Sequence, residues 1–188
     1  QEKKLGDRGI VMVDTEDPVC AVASLFNLED FTIFAYTQQE MCHKLLEKHA
    51  RYIYKRTQRV SKEFPGRLWR IYGPEYATEP FLPAHFFEDY VVRSTGPMVK
   101  QIKDHTGLVR IHSHGRIRNV IDYFVRMGAD ATDPIEPPPN GDVELKYIRE
   151  KYGKELVLFG NIEIADIENM PSPQFRKVVK KAIADGTS

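Results

Sequence analysis

The chain contains only two cysteines, Cys20 and Cys42, with no Cys-x-x-Cys pair. That excludes a disulfide-stapled scaffold and a Cys-built zinc cluster, and it fits reduced, buried thiols in a cytoplasmic protein. There is no excess charge of either sign, because 27 basic residues face 27 acidic ones. Nothing in that balance calls for a nucleic-acid or anionic-membrane partner. No apolar run approaches the length of a membrane span, and the polar start Gln1-Glu-Lys-Lys4 is not followed by the apolar core of a signal peptide. Gly-x-Gly-x-x-Gly and P-loop patterns are also missing, so nucleotide binding has no support. No internal repeat stands out. Beginning with Gln and stopping abruptly at Asp185-Gly-Thr-Ser188, the chain reads as a fragment or a processed form.

What is present is an alternation of strand-like and helix-like segments over 188 residues, enough for one domain with a real core. Short apolar runs at Val11–Val13 and Val19–Leu25 precede a long helix from about Gln38 to Lys62. Thr37-Gln-Gln-Glu40 reads as its capping box, and Pro65-Gly66 ends it. Leu68–Tyr72 reads as a strand closed by Gly73-Pro74-Glu75. Helical patterns follow at about Ala84–Val92 and Gly96–His105, then the strand leading to His112. Ile117, Val120, Ile121, Phe124 and Val125 predict an amphipathic helix over Arg116–Met127, stopped by Gly128. Ala131–Glu136 is the next strand. Asp142 is placed as cap of a helix carrying Leu145, Ile148 and Tyr152, and Leu156–Ile162 is a further apolar strand. Ser172 and Pro173 open a last helix. This β-α order predicts a parallel sheet buried on both sides. A complete (β/α)8 barrel needs about 250 residues. The roughly five strand units here would make such a barrel incomplete; an open doubly wound sheet is the other arrangement.

Functional groups of parallel α/β folds gather where strands end. In Leu108-Val-Arg-Ile-His-Ser-His-Gly115, alternation puts Arg110, His112 and His114 on one face and Val109, Ile111 and Ser113 on the other. Two imidazoles at i and i+2, joined by a carboxylate, have the donor types of a zinc site. Alternatively they are hydrogen-bonded histidines of a polar cavity. Tyr72 and Glu75 close the preceding strand, Asp133 and Glu136 the following one, and Asn161 and Glu163 the one after. Each also has a structural alternative: Glu75 as a turn residue, Asp133 bonded to the turn before Pro134, Asn161 in a turn after Gly160. Arg70 and Arg110 lie inside apolar strands, in phase with the inward set. They would pair with a strand-end carboxylate or bind a substrate anion. Ser113 lacks a Gly-x-Ser-x-Gly context and lies on the helix-facing side, so a serine triad is the weaker reading.

Leu68-Trp-Arg-Ile-Tyr-Gly-Pro-Glu75, Val109-Arg-Ile-His-Ser-His-Gly115, Met127-Gly-Ala-Asp-Ala-Thr-Asp-Pro-Ile-Glu-Pro-Pro-Pro139 and Leu158-Phe-Gly-Asn-Ile162 occur in this order. Together they resemble the uroporphyrinogen decarboxylase superfamily over about residues 60 to 185, in particular its zinc-dependent corrinoid:thiol methyltransferase branch. The resemblance implies a TIM barrel. In that branch a His-x-Cys pair, a Glu on the next strand and a later Cys hold zinc. His112 matches the first His, His114 stands where the Cys is usual, and Glu136 matches the Glu; the later Cys would fall beyond Ser188. The implied enzyme transfers a methyl group from methylcobalamin on a corrinoid protein to a thiol, with Tyr72 and Glu75 as catalytic residues and Arg70, Arg110, Asn161 and Glu163 binding substrate. The Arg-Gln-Ala-Gly-Arg type segment of the decarboxylase branch is absent from these residues. The alternatives are metal-independent decarboxylation of an acidic substrate held by Arg70 and Arg110, and a barrel without chemistry.

Overall fold

A computed structural model describes residues 1–187. After a short helix α1 (Glu2–Leu5), strand β1 (Met12–Glu16) leads into α2 (Pro18–Ala23), α3 (Leu28–Thr37) and the long α4 (Gln39–Glu63). Strand β2 (Leu68–Tyr72) runs into a 3-10 turn (Pro74–Ala77). A π-helical segment (Phe87–Val92), with α5 (Arg93–Asp104), returns the chain to β3 (Leu108–His112). Then come α6 (Ile121–Met127), β4 (Ala131–Asp133), α7 (Leu145–Tyr152), β5 (Val157–Leu158), α8 (Ile164–Asn169) and α9 (Ser172–Thr187). The five strands form one sheet in chain order, with every pairing parallel. Consecutive parallel strands joined by helical crossovers are the repeating unit of the TIM barrel. The described residues build five such strands, a partial barrel.

Register explains which side chains meet. Asp14, Arg70, Arg110 and Ala131 stand side by side in one row, and Glu16, Tyr72, His112 and Asp133 in the next. The alternate residues Thr15, Ile71, Ile111 and Thr132 form the other face. That second face, with Trp69 and Val109, is buried in the hydrophobic core, which includes Phe87, Met98, Val99, Ile102 and Phe124 from the helices. The expected burial on both sides is therefore corrected. The face of Asp14 and Arg70 is open, and Leu108 and Val157, 49% and 60% exposed, lie on it too.

Several local expectations also change. Val19–Leu25 is not an extended run: Pro18–Ala23 is helical, with the Asp17 side chain capping the Cys20 N–H at 2.7 Å. The capping box at Thr37 does not form. The Thr37 hydroxyl donates back to the Ile33 carbonyl, finishing α3, while Glu40 pairs with Lys44 at 2.6 Å. The helix expected from Arg116 begins only at Ile121, although Ile117 and Val120 are buried as the pattern required. Asp142 caps no helix; its carboxylate accepts from the Arg118 N–H. The strand expected over Leu156–Ile162 shortens to Val157–Leu158.

Candidate functional site

The carboxyl ends of β2, β3 and β4 bring Tyr72, Glu75, His112, His114, Asp133 and Glu136 to one end of the sheet. Asp133 is 7% exposed and carries two partners. Arg110 grips it with a bidentate pair, Nη2 to Oδ2 at 2.6 Å, and His112 Nδ1 lies 2.7 Å from Oδ2. Burial raises the Asp133 carboxyl, but hydrogen bonds from His112 and Arg110 outweigh it and hold it below the usual carboxylate range. An ionised carboxylate only accepts hydrogen bonds. His112 must therefore donate from Nδ1, which leaves Nε2 as its free position.

His114, two residues further along the chain, repeats the arrangement. Its Nδ1 lies 2.9 Å from Glu136 Oε1, and Glu136 Oε2 accepts the Gly115 N–H at 2.6 Å. Gly115, at φ 80°, supplies the left-handed bend that turns this N–H toward Glu136. The two imidazole rings are perpendicular, with centroids 4.8 Å apart. Each is anchored at Nδ1 by a carboxylate, the orienting pattern found behind metal-bound histidines. The donor types fit a metal, with Nε2 the ring nitrogen left open on each imidazole. Glu136 accepts one hydrogen bond at each oxygen, and each oxygen keeps a further lone pair, so these bonds do not bar it from a metal. Among the described residues, no three His, Cys, Asp or Glu side chains are gathered as a complete ligand set.

Glu75 sits in the 3-10 turn after β2, with Oε2 shut off from solvent and without a hydrogen-bond partner. Burial pushes its carboxyl up, and nearby His114 and His112 pull it less strongly down. Tyr72 is in register with His112, its ring 5.9 Å from the Arg70 guanidinium. Burial raises its phenol.

Each arginine is paired with an aspartate through Nε and Nη2. Arg70 holds Asp14 through two 2.7 Å hydrogen bonds, which lower the Asp14 carboxyl. Arg110 is committed to Asp133 and stacks 4.8 Å from the Phe159 ring. Asn161 lines a separate cavity between β5, α7 and α9, beside Leu145, Leu158, Val179 and Ile183. No hydrogen bond or ion pair joins Asn161 or Glu163 to the histidines among the described residues. Ser113 is buried on the helix side, its hydroxyl unpartnered.

Sequence reading missed Asp17. It follows β1, is fully buried, and is tied to Cys20 N and, at 3.3 Å, to the Thr95 hydroxyl. Its place immediately before Pro18 is the N-terminal helix signature that would have marked α2.

A profile of the family described as "Uroporphyrinogen decarboxylase (URO-D)" matches residues 2–188. No curated protein matches the chain. Among solved structures, a methyltransferase from Methanosarcina mazei superposes with a TM-score of 0.75 at 14% identity, over 98% of this chain and 52% of that one. The likeness lies in the fold, and the chain spans about half the length of that relative. The matched profile, running almost from end to end, establishes that this chain belongs to the uroporphyrinogen decarboxylase family.

Proposed function

We propose that the chain carries the metal-binding side of a zinc-dependent methyltransferase site, in which a thiol or similar acceptor takes a methyl group from methylcobalamin on a partner corrinoid protein. One observation carries this reading: two adjacent imidazoles, each pinned at Nδ1 by a carboxylate, keep both Nε2 atoms available. His112 and His114 would hold zinc through these atoms. Zinc there would supply Lewis acidity, making a bound thiol easier to deprotonate. Asp133, itself gripped by Arg110, keeps His112 in one tautomer, while Glu136 does the same for His114 and secures the Gly115 loop. Glu75 Oε2 would take the thiol proton; its burial suits it to keep that proton once transferred. Tyr72 would line the acceptor side. The corrinoid would supply the methyl group and keep the electron pair of the bond it gives up, the thiol sulfur would gain the methyl, and Glu75 would hold the thiol proton. A cytoplasmic setting is supported by the free thiols of Cys20 and Cys42.

Decarboxylation of an acidic substrate is less well supported, because Arg70 and Arg110, its proposed carboxylate binders, are each neutralised by an aspartate. Metal analysis decides between the two readings. Purified protein should hold about one zinc per chain, in keeping with a single site, and both His112→Ala and His114→Ala should lose it while remaining folded. Wild-type protein that holds no zinc, even when purified with added zinc, would overturn the methyl-transfer mechanism.

A further inference from the structure

The buried carboxyl of Asp17 has no role in the chemistry above, yet it stands directly behind Glu75. The Asp17 N–H donates to the Tyr72 carbonyl at 2.9 Å, joining the end of β1 to the end of β2. Between Tyr72 and Glu75 the chain turns at Gly73, φ 107°, which packs so closely on α2 that an added Cβ would lie 2.1 Å from Cys20 Cβ and 3.1 Å from Asp17 Oδ1. The two carboxyls therefore flank one backbone turn, inside the protein. Neither forms an ion pair among the described residues. The Asp17 carboxyl accepts from the Cys20 N–H and the Thr95 hydroxyl, with the Val19 N–H also directed at it, and Glu75 Oε2 meets no partner among the described residues.

We propose that Asp17 and Glu75 act as a carboxyl pair that retains a single proton at the site, with Glu75 the catalytic residue and Asp17 the positioning residue behind it. Two acids sharing a low-dielectric region cannot both ionise cheaply, so the second proton leaves only at higher pH. Consistent with this, burial pushes Asp17 up to about 8, with the Glu75 charge adding to the rise against the Cys20 and Thr95 hydrogen bonds. The other groups facing the pair are the Cys20 thiol of α2, pushed up to about 12 chiefly by burial, the Tyr76 phenol, and His112 and His114 on the open side. The chemical use of the pair rests on the reading of Glu75 as the thiol's base. Its existence does not, and it can be tested without substrate or metal.

The test is infrared spectroscopy of the carboxylic-acid carbonyl stretch in metal-free protein, titrated from acid to alkaline pH. Wild type should show this band at pH 7 and lose the last of it near pH 8, where Asp17 ionises. In Glu75→Gln that last loss should move down by about one pH unit, since Asp17 then ionises beside a neutral amide. Asp17→Asn should abolish the upper step altogether. Asn caps helices about as well as Asp, so this variant keeps α2, which circular dichroism checks. A wild type with no acid band at pH 7, or a Glu75→Gln variant whose last step stays at the wild-type pH, would overturn the pair. Zinc content reads the methyltransferase proposal separately, so failure of one leaves the other standing.

Discussion

Asp133 shows how one residue organises the site. A carboxylate held by a bidentate arginine cannot drift, and the imidazole bonded to it inherits that rigidity. Gly73 does the same for Glu75 through backbone packing. Its φ of 107° disfavours any side chain, and its α-carbon has no room for one. Gly73→Ala should therefore cost about 2 kcal/mol or more, from left-handed strain together with overpacking against Cys20. Urea denaturation would measure this, and an unchanged midpoint would mean that the turn is not wedged against α2. Strand alternation predicted the shared face of Arg110, His112 and His114 correctly, because a period of two is a local property of an extended chain. The pairing of Arg110 with Asp133 depended on β4 being laid beside β3, which no short stretch of sequence encodes.

At the scale of elements, β3 presents two unlike faces. Ile111 is fully buried against the helices, while Leu108, at the start of the same strand and on the opposite face, is half exposed. Ile111→Ala should cost about 2–5 kcal/mol, as deletion in a close-packed core does. Leu108→Ala should stay within about 1 kcal/mol, in line with partly exposed positions. Equal losses in the two variants, measured by chemical denaturation, would mean that the open face is covered in solution. The long helix α4 was legible because its apolar spacing persists for many turns and Pro65 closes it. The short α2 and α3 were not. Each is too brief for a period to declare itself, and α3 takes Thr37, which otherwise reads as a cap for the next helix. Helix starts at Ile121 and Leu145 likewise depended on which backbone groups Asp142 and Arg118 claimed.

For the whole molecule, buried acids set the response to pH. Asp17 binds its proton more tightly folded than unfolded, from 3.8 up to about 8. Unfolding between those values releases a proton, so this group lowers stability as pH rises from about 4 to 8. Asp133 works in the opposite sense. Its folded carboxyl lies below the ordinary range, so its contribution is complete above about pH 4 and is lost as pH falls further. The urea midpoint of wild type should consequently fall between pH 5 and pH 8.5, and that of Asp17→Asn should fall less. Parallel curves for the two proteins would show that Asp17 does not titrate in this window. No helix among the described residues is long and apolar enough to cross a membrane.

The alternation of strands with helices from Leu68 to Tyr152, the parallel sheet, the grouping of polar residues at strand ends and the family itself were determined by the sequence alone. Each rests on local periodicity or on motifs contiguous in the chain. Tertiary structure decided which face of the sheet is open, that Arg70 and Arg110 are already neutralised, and that Glu136 serves as partner to His114 and Gly115. It also decided that Asn161 lines a cavity without the histidines, and that Asp17 stands behind Glu75. These depend on the burial and pairing of side chains distant along the chain, since the free energy of a charge is set by the neighbours that folding brings to it.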